Sequence, residues 1–326
     1  MRRPAKMGRR ILATGGHDRL SGATFPKDFP MKFASYLSQG LNSYGVQQGD
    51  HLIDIPALFT LLGRGRAPAS MLDVIETGDA AVALITDVLD QAAGQYGAAL
   101  RSFEDVTLLP PIIRPPKFFC IGRNYAEHAK EAGFDMSPIP IMFNRYSSTL
   151  IGSGQDILYP KVSHELDWEG EIAVVISKSH KGQIPVDQAM DYVFGYTAFN
   201  DVTVRNYQFR TTQYLAGKNF RTSGPLGPVL VSKEDLADPH NVQIVTRVNG
   251  TVMQDANTST MHFDIPFIIN HLSEFIDLEA GDVIAMGTPA GVGFKRKPPI
   301  FLQVGDVVEV ELDGIGTLTN TVVEDK

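Results

Sequence analysis

The chain has 326 residues, 43% of them apolar and 20% charged, which is typical of a globular protein with an ample core. Residues 1–30 contain seven Lys and Arg against two Asp, so the overall charge of −8 leaves −13 for the remainder. Such an acidic body repels nucleic acid and anionic membranes, and we exclude both as partners. No apolar run reaches about 18 residues, so we predict no membrane span.

The basic residues 1–30 allow two interpretations. Their many Arg and few acidic residues are typical of an organellar presequence. However, they contain little Ser and no apolar helix face, which favours a disordered extension or a gene start placed too early. The single cysteine, Cys120, lies in an apolar run and predicts a buried thiol, with no disulfide and no thiolate metal site. We therefore predict a cytoplasmic protein.

From residue 31 onward the pattern predicts an α+β fold, mainly β, in two domains. The first, residues 31–114, has strands at 31–36 and 51–54, a helix at 80–96 and a proline-rich linker at 109–116. In the second, residues 115–326, helical patterns are few, at 124–132, 201–208 and 266–275. The β-branched runs lie at 229–231, 242–248, 283–285 and 307–312. This predicts an antiparallel or mixed β body, and no P-loop or dinucleotide-binding motif occurs in it.

Two glutamates one residue apart are the strongest chemical signal. Glu169 and Glu171 adjoin the apolar run 172–176, which predicts a buried strand. Side chains two apart on a strand share a face, so the two carboxylates repel each other unless a positive charge lies between them. Oxygen ligands without His or Cys favour a hard dication, Mg²⁺ or Mn²⁺. A solvated strand end is the alternative.

Asp201 is predicted to open a helix that places Arg205 and Gln208 on its own face, at i+4 and i+7. A carboxylate, a guanidinium and an amide on one stripe suit a site that holds a metal and a carboxylated ligand. A solvent-exposed helix face has the same pattern.

A second group of residues could carry acid–base chemistry. His128 and Glu131 are three residues apart, so they touch if they lie on a helix. A carboxylate that accepts one imidazole N–H leaves the other nitrogen to take a proton from water. An ordinary contact on a helix surface is the alternative. Arg123, just upstream, is suited to pair with a substrate carboxylate.

Two glycine-rich segments follow. Lys218 lies in the first of them and either reaches into a pocket or is exposed. Residues 287–293 form the second, a loop whose glycines allow close backbone approach and can aim N–H groups at an anion, although a tight turn has the same composition.

Taken in order, these motifs resemble the fumarylacetoacetate hydrolase family, from about residue 117 to the end. The branch with the greatest resemblance contains acylpyruvases, oxaloacetate decarboxylases and 2-hydroxyhepta-2,4-diene-1,7-dioate isomerases. The motifs are Gly122-Arg123-Asn124-Tyr125 with His128 and Glu131, Glu169-Gly170-Glu171, Asn200-Asp201 with Arg205 and Gln208, Lys218, and Gly287-Thr288-Pro289-Ala290-Gly291-Val292-Gly293.

The resemblance implies a mixed β-roll catalytic domain in a homodimer, and a role for each site residue. It implies Mg²⁺ or Mn²⁺ bound by Glu169, Glu171 and Asp201, and a catalytic His128–Glu131 pair on a mobile lid helix. It also implies Lys218 as a catalytic residue in contact with the substrate. The remaining substrate contacts would be Arg123, Tyr125, Gln208 and Thr288. Many members carry Lys where this chain has Arg145, which leaves the role of this position open.

The leading hypothesis is cleavage of a C–C bond in 2,4-dioxo acids of the acylpyruvate type, through a metal-stabilised pyruvate enolate. Decarboxylation of oxaloacetate and isomerisation or hydration of unsaturated 2-oxo acids from aromatic catabolism use the same enolate and remain alternatives. A non-catalytic oligomeric protein with a structural cation would need the metal ligands but not the His128–Glu131 pair.

Overall fold

The computed structural model describes residues 30–133 and 135–325, so residues 1–29, which hold most of the basic leader, lie outside the described residues. Within this part of the chain the strands are β1 (Lys32–Ser38), β2 (Leu41–Gln48), β3 (His51–Asp54), β4 (Leu100–Ser102), β5 (Thr107–Leu108), β6 (Phe118–Gly122), β7 (Ile141–Asn144), β8 (Leu150–Ile151), β9 (Ile157–Tyr159), β10 (Leu166–Asp167), β11 (Gly170–Ile176), β12 (Val193–Asn200), β13 (Thr203–Val204), β14 (Gly224–Ser232), β15 (Gln243–Val248), β16 (Thr251–Asn257), β17 (Val283–Ala285), β18 (Val307–Leu312) and β19 (Gly316–Glu324).

The α-helices of the described residues are short. They are α1 (Ile55–Leu61), α2 (Met71–Thr77), α3 (Asp79–Ala92), α4 (Ala126–Ala132), α5 (Arg205–Gln208), α6 (Leu215–Lys218) and α7 (Ile265–Ser273). Asp54 and Asp264 cap α1 and α7 by accepting backbone N–H groups, with a proline in the first turn. The predicted helix 80–96 ends earlier, at Ala92, because Ala93 takes a left-handed φ of 47°. Among the described residues, no helix is long and apolar enough to cross a membrane.

The predicted α+β, mainly β class is confirmed. Twelve strands form one mixed sheet in the order β4-β3-β2-β1-β14-β12-β11-β17-β6-β7, with β5 on β1 and β8 on β14. The N-terminal strands join the later ones through the antiparallel pair β1–β14. Residues 31–114 and the rest of the chain thus share a sheet, and their division into two domains remains a prediction.

The centre of this sheet positions the site. Strand β11 is buried along its whole length and pairs with β12 on one side and β17 on the other. Its alternate side chains enter two apolar cores, Ala173 and Val175 on one face and Ile172 and Val174 on the other. A second sheet, β16-β15-β18-β19-β9, packs beside it. The glutamates at the start of β11 therefore rest on a rigid element.

The predicted helix from Asp201 to Gln208 is wrong. Asp201 directly follows β12, residues 203–204 form β13, and the helix spans only Arg205–Gln208. The backbone N–H of Asp201 donates to the carbonyl of Glu169 at 2.8 Å, and that of Arg205 to Glu165 at 2.9 Å. These bonds tie the segment to the chain just before β11. Asp201 reaches the site through sheet pairing and not through a helical stripe.

Candidate active site

Three buried carboxylates converge where β11 and β12 meet. Glu169 immediately precedes β11, Glu171 lies on it, and Asp201 follows β12; they are 6%, 2% and 0% exposed. One oxygen from each lies within 4.8 Å of the others. The predicted grouping of these three side chains matches the structure, although they come from different elements.

Two buried arginines donate hydrogen bonds to two of these carboxylates, Asp201 and Glu169. Arg145 donates from Nε to Asp201 Oδ1 at 2.6 Å, and its Nη1 and Nη2 reach Ser223 Oγ and the carbonyl of Val202 at 2.8 and 2.7 Å. Arg205 donates from Nη1 to Glu169 Oε1 at 2.6 Å. Both guanidinium groups are buried, and neither has room to move without breaking these bonds.

Lys218 lies between two of the carboxylates. Its Nζ is 2.6 Å from Glu169 Oε2 and 2.6 Å from Asp201 Oδ2, and the residue is 1% exposed. Lys218 thus supplies a positive charge between Glu169 and Asp201, whereas the sequence predicted one between Glu169 and Glu171. Although burial lowers the pKa of Lys218, the neighbouring Asp201 and Glu169 outweigh it and raise the pKa above its ordinary value.

The two glutamates have opposite electrostatic character. Burial raises the pKa of Glu171 well above its ordinary value, and the charges of Asp201 and Glu169 raise it further. Burial acts on Glu169 in the same direction, but Lys218 and Arg205 outweigh it and lower its pKa to about 2. The surroundings thus favour the protonated form of Glu171 and the ionised form of Glu169.

The site suits a hard dication. Seven of its charged side chains are buried, four acidic (Asp167, Glu169, Glu171 and Asp201) and three basic (Arg145, Arg205 and Lys218), and the half-buried Arg123 also lines the cavity. The Lys218 ammonium already bridges Glu169 and Asp201. All three carboxylates, including Glu171, offer oxygen atoms, and oxygen is the metal ligand that Mg²⁺ and Mn²⁺ prefer.

His128 and Glu131 both lie on α4, as predicted. His128 lines the same cavity as the three carboxylates. Its Nδ1 is 3.7 Å from Glu131 Oε2, which is longer than a hydrogen bond, and this buried nitrogen has no hydrogen-bond partner among the described residues. Glu131 does not line the cavity but accepts the backbone N–H of Gly291. The two side chains are thus close to each other, and Glu131 links α4 to the glycine-rich loop through its hydrogen bonds with Gly291.

The predicted substrate contacts divide into two groups. Arg123, Gln208 and Thr288 line the cavity, whereas Tyr125 does not and is buried beside it. The hydroxyl of Thr288 donates to the carbonyl of Gly170 at 3.0 Å and accepts from Gln254 at 2.7 Å. Gln208 accepts from Arg205 at 3.0 Å.

In the sequence, Asp167 was missed and the role of Arg145 was left open. Asp167 is fully buried and accepts from Arg205 Nε at 2.8 Å and from the backbone N–H groups of Gly293 and Phe294 at 2.7 and 3.0 Å. Its spacing of two from Glu169 was a signal that could have found it. Arg145 has no such signal, because its partner Asp201 lies 56 residues away.

The chain is similar to a family of known enzymes over most of its length. The family model Fumarylacetoacetate (FAA) hydrolase C-terminal matches residues 117–323. Oxaloacetate tautomerase fahd2, mitochondrial, of Xenopus laevis is 41% identical over 280 residues, covering 85% of this chain and 84% of that protein. Oxaloacetate tautomerase YisK of Bacillus subtilis (strain 168) is 41% identical over 262 residues, covering 78% and 87%.

A solved structure is similar over almost the whole fold. Maleylpyruvate hydrolase from Sphingobium sp. SYK-6, in complex with manganese(II) and pyruvate, has a TM-score of 0.72 and 27% identity, covering 91% of this chain and 100% of that one. With the family model matched over more than half of its residues, this chain belongs to the fumarylacetoacetate hydrolase family of enzymes.

Proposed function

We propose that this enzyme catalyses the keto–enol tautomerisation of oxaloacetate or of a closely related 2-oxo dicarboxylate, with a dication held by Glu169, Glu171 and Asp201. The observation that carries the proposal is the convergence of these carboxylates with His128 and Arg205 in one cavity. The relatives named oxaloacetate tautomerase, which match most of this chain at 41% identity, support the choice of substrate.

Positive side chains give the cavity affinity for a small carboxylated substrate. A bound Mg²⁺ or Mn²⁺ supplies a Lewis acid that stabilises negative charge on a 2-oxo group. Arg205 Nη2 has no hydrogen-bond partner among the described residues, so it can donate to a substrate carboxylate. Its guanidinium is kept in place by Asp167 and by Phe294, whose ring centroid is 4.2 Å away. Arg123 and Lys218 add further positive charge in the same cavity.

His128 is suited to move the proton that tautomerisation requires. The enol loses its hydroxyl proton, and C3 gains one, so no water or second reactant is consumed. Because Nδ1 faces Glu131, Nε2 is the atom that takes and returns the proton. Glu131, held by Gly291, stabilises the imidazolium that forms between the two transfers.

The same residues support a second candidate, the acylpyruvate hydrolysis that the sequence favoured. Here His128 would take a proton from water, which then attacks the distal carbonyl. The similarity to a protein named maleylpyruvate hydrolase, solved with pyruvate, favours this candidate specifically.

The test is a panel of three reactions measured with Mg²⁺, with Mn²⁺ and after chelation. Loss of the enol of oxaloacetate is followed by ultraviolet absorbance, its decarboxylation by release of CO₂, and hydrolysis of acetylpyruvate by formation of pyruvate. We expect enol loss to be the fastest and to stop on chelation. Faster hydrolysis would favour the second candidate. No turnover, with chelation lowering only Tm, would show a structural cation.

The homodimer, the cytoplasmic location and a place in aromatic catabolism remain predictions. The Xenopus relative carries the word mitochondrial in its name, so cell fractionation with the leader present and absent is the direct test of location. Light scattering at several protein concentrations tests the dimer.

A further inference from the structure

Asp167 accepts four hydrogen bonds although it does not line the cavity. Its Oδ1 accepts from the backbone N–H groups of Trp168 and Gly293 at 2.9 and 2.7 Å. Its Oδ2 accepts from the backbone N–H of Phe294 at 3.0 Å and from Arg205 Nε at 2.8 Å. The residue is fully buried, so water does not readily replace any of these donors. Asp167 therefore joins Arg205 to the loop that contains Gly293 and Phe294.

These contacts decide which nitrogen of Arg205 remains for a ligand. Nε is bound to Asp167, while Nη1 donates to Glu169 Oε1 at 2.6 Å and to Gln208 Oε1 at 3.0 Å. A guanidinium is planar and rigid, so fixing two of its nitrogens also fixes the position of the third. That third nitrogen, Nη2, has no hydrogen-bond partner in the part of the chain that the structure describes, and Arg205 lines the cavity.

The loop held by Asp167 also packs on Arg205. The ring of Phe294 lies over the guanidinium, with its centroid 4.2 Å from Cζ. The close approach of this loop to Asp167 requires a glycine at position 293. A Cβ on Gly293 would lie 2.0 Å from the carbonyl oxygen of Ile300 and 2.6 Å from Asp167 Oδ1. Asp167 thus orients the guanidinium in two ways, by its own oxygen and by the ring that it holds in place.

We propose that Asp167 is a positioning residue for substrate recognition, which directs Arg205 Nη2 to a carboxylate of the substrate. The proposal rests on the proposed function, in which Arg205 binds that carboxylate. Asp167 itself lies outside the cavity and acts through Arg205. Because the guanidinium is already held in the free protein, substrate binding does not have to order this side chain.

The charge of Asp167 gives this role a sign that distinguishes it from simple electrostatics. A negative charge near the cavity repels an anionic substrate, so its removal would by itself strengthen substrate binding. Loss of positioning acts in the opposite direction. In Asp167→Asn the amide N–H₂ group faces two of the four N–H donors, and the guanidinium of Arg205 becomes free to turn. A rise in KM would therefore show that positioning outweighs the charge.

The experiment measures turnover of oxaloacetate, and binding of pyruvate by calorimetry, both at saturating Mg²⁺. In Asp167→Asn the KM for oxaloacetate and the Kd for pyruvate should rise by about 10–100-fold, the usual effect of losing a hydrogen bond to a charged group. The kcat should change much less, because a substrate that is bound still meets the same reacting groups.

Asp282→Asn is the matched control for the loss of a buried carboxylate. Asp282 is also fully buried, accepts the backbone N–H of Glu279 at 2.8 Å and lies outside the cavity. Its change to Asn should lower Tm but leave KM, kcat and the Kd for pyruvate unchanged. A general loss of stability is thereby separated from a loss of recognition.

A double variant shows whether Asp167 acts through Arg205. If it does, Asp167→Asn should raise KM little further in a chain that already carries Arg205→Lys, because the rigid fork is absent. A merely structural role would instead add its full effect. Phe294→Leu removes the ring but keeps every hydrogen bond of Asp167, and it should raise KM more mildly. This variant serves if Asp167→Asn does not fold.

The outcomes separate this proposal from the proposed reaction. Unchanged or lowered KM and Kd in Asp167→Asn, or effects that simply add in the double variant, would overturn the positioning role. An unchanged KM in Phe294→Leu would overturn it if Asp167→Asn does not fold. Weaker pyruvate binding in Asp167→Asn, with no turnover of oxaloacetate by the wild type, would overturn only the reaction. Failure of the wild type to bind pyruvate would overturn both.

Discussion

The backbone N–H of Gly291 donates to both carboxylate oxygens of Glu131, at 3.1 and 3.3 Å. Burial alone would raise the pKa of Glu131, but the neighbouring His128 and this N–H outweigh it and lower the pKa. Glu131 is therefore an anchored anion that faces the imidazole. Its negative charge lies where it can stabilise an imidazolium form of His128 during proton transfer.

The first prediction concerns His128. His128→Ala should slow enol loss and acylpyruvate hydrolysis by about 10²–10⁴-fold, the usual contribution of a positioned general base. Decarboxylation of oxaloacetate needs no attacking water and should fall less. Glu131→Gln should give the same pattern more mildly, because it removes the charge that stabilises the imidazolium but leaves the imidazole in place. Rates of all three reactions are compared in each variant.

The chain offers a matched control for this experiment. His271 and Glu274 form the same i,i+3 pair at the end of α7, outside the cavity, with 3.2 Å between Nδ1 and Oε2. His271→Ala should leave every rate unchanged. If His128→Ala slows the three reactions equally, the residue acts in binding or closure and the proton-transfer role is wrong.

The second prediction concerns Glu171→Gln. The amide resembles the protonated carboxyl group that burial favours without added metal, so Tm in the presence of a chelator should change little. The rise in Tm on adding Mn²⁺ should disappear, together with most of the activity. Scanning calorimetry with and without metal measures both effects, and exposed Glu234→Gln is the control. Unchanged turnover at low metal concentration would refute the ligand assignment.

The third prediction is a pH dependence of metal affinity. Because the pKa of Glu171 is raised in the metal-free protein, a bound dication must displace its proton. The affinity for the dication should therefore rise with pH and level off once the pH exceeds the pKa of Glu171. Below that pKa metal binding releases a proton, and above it no proton is released. Calorimetry in two buffers of different ionisation enthalpy counts the protons. A metal affinity that does not change with pH would contradict the assignment.

The fourth prediction separates structure from recognition at Thr288. Its hydroxyl proton is committed to the carbonyl of Gly170, and Gln254 donates to its oxygen. Thr288→Val should cost about 1–3 kcal/mol of unfolding free energy, since it leaves buried polar partners short of a bond. Denaturant unfolding measures this. A raised KM with unchanged stability would instead show that the hydroxyl acts on the substrate.

The fifth prediction is that residues 1–30 take no part in catalysis. A chain that starts at Met31 should fold and turn over like the full one, because β1 begins at Lys32 and is held by β2 and β14. Steady-state rates and Tm of the two forms are compared directly. A large loss of activity on truncation would show that the leader packs on the site.

The sequence predicted the parts of the site that depend on local spacing. Glu169 and Glu171 were found because side chains two apart share a face of a strand. Asp201 was found for a wrong reason, since a helical pattern was assumed where the chain makes a strand end and a two-residue bridge. The anchoring donors, Arg145 and the N–H of Gly287, could not be predicted because their contacts span 56 and 116 residues.

The place of β17 between β11 and β6 in the large sheet limits how early in synthesis the fold can be completed. This three-residue strand joins β11 to β6, and the N–H group that holds Glu171 follows it at Gly287. Until these residues leave the exit tunnel, β11 and β6 lack the strand that lies between them, and the apolar edge of each is open to wrong pairing. Glu169 and Glu171 are made more than a hundred residues before this strand, and all three carboxylates of the proposed metal site are synthesised before it. We therefore expect a nascent chain that ends before residue 283 to require a chaperone, and cation binding to begin only after β17 is in place.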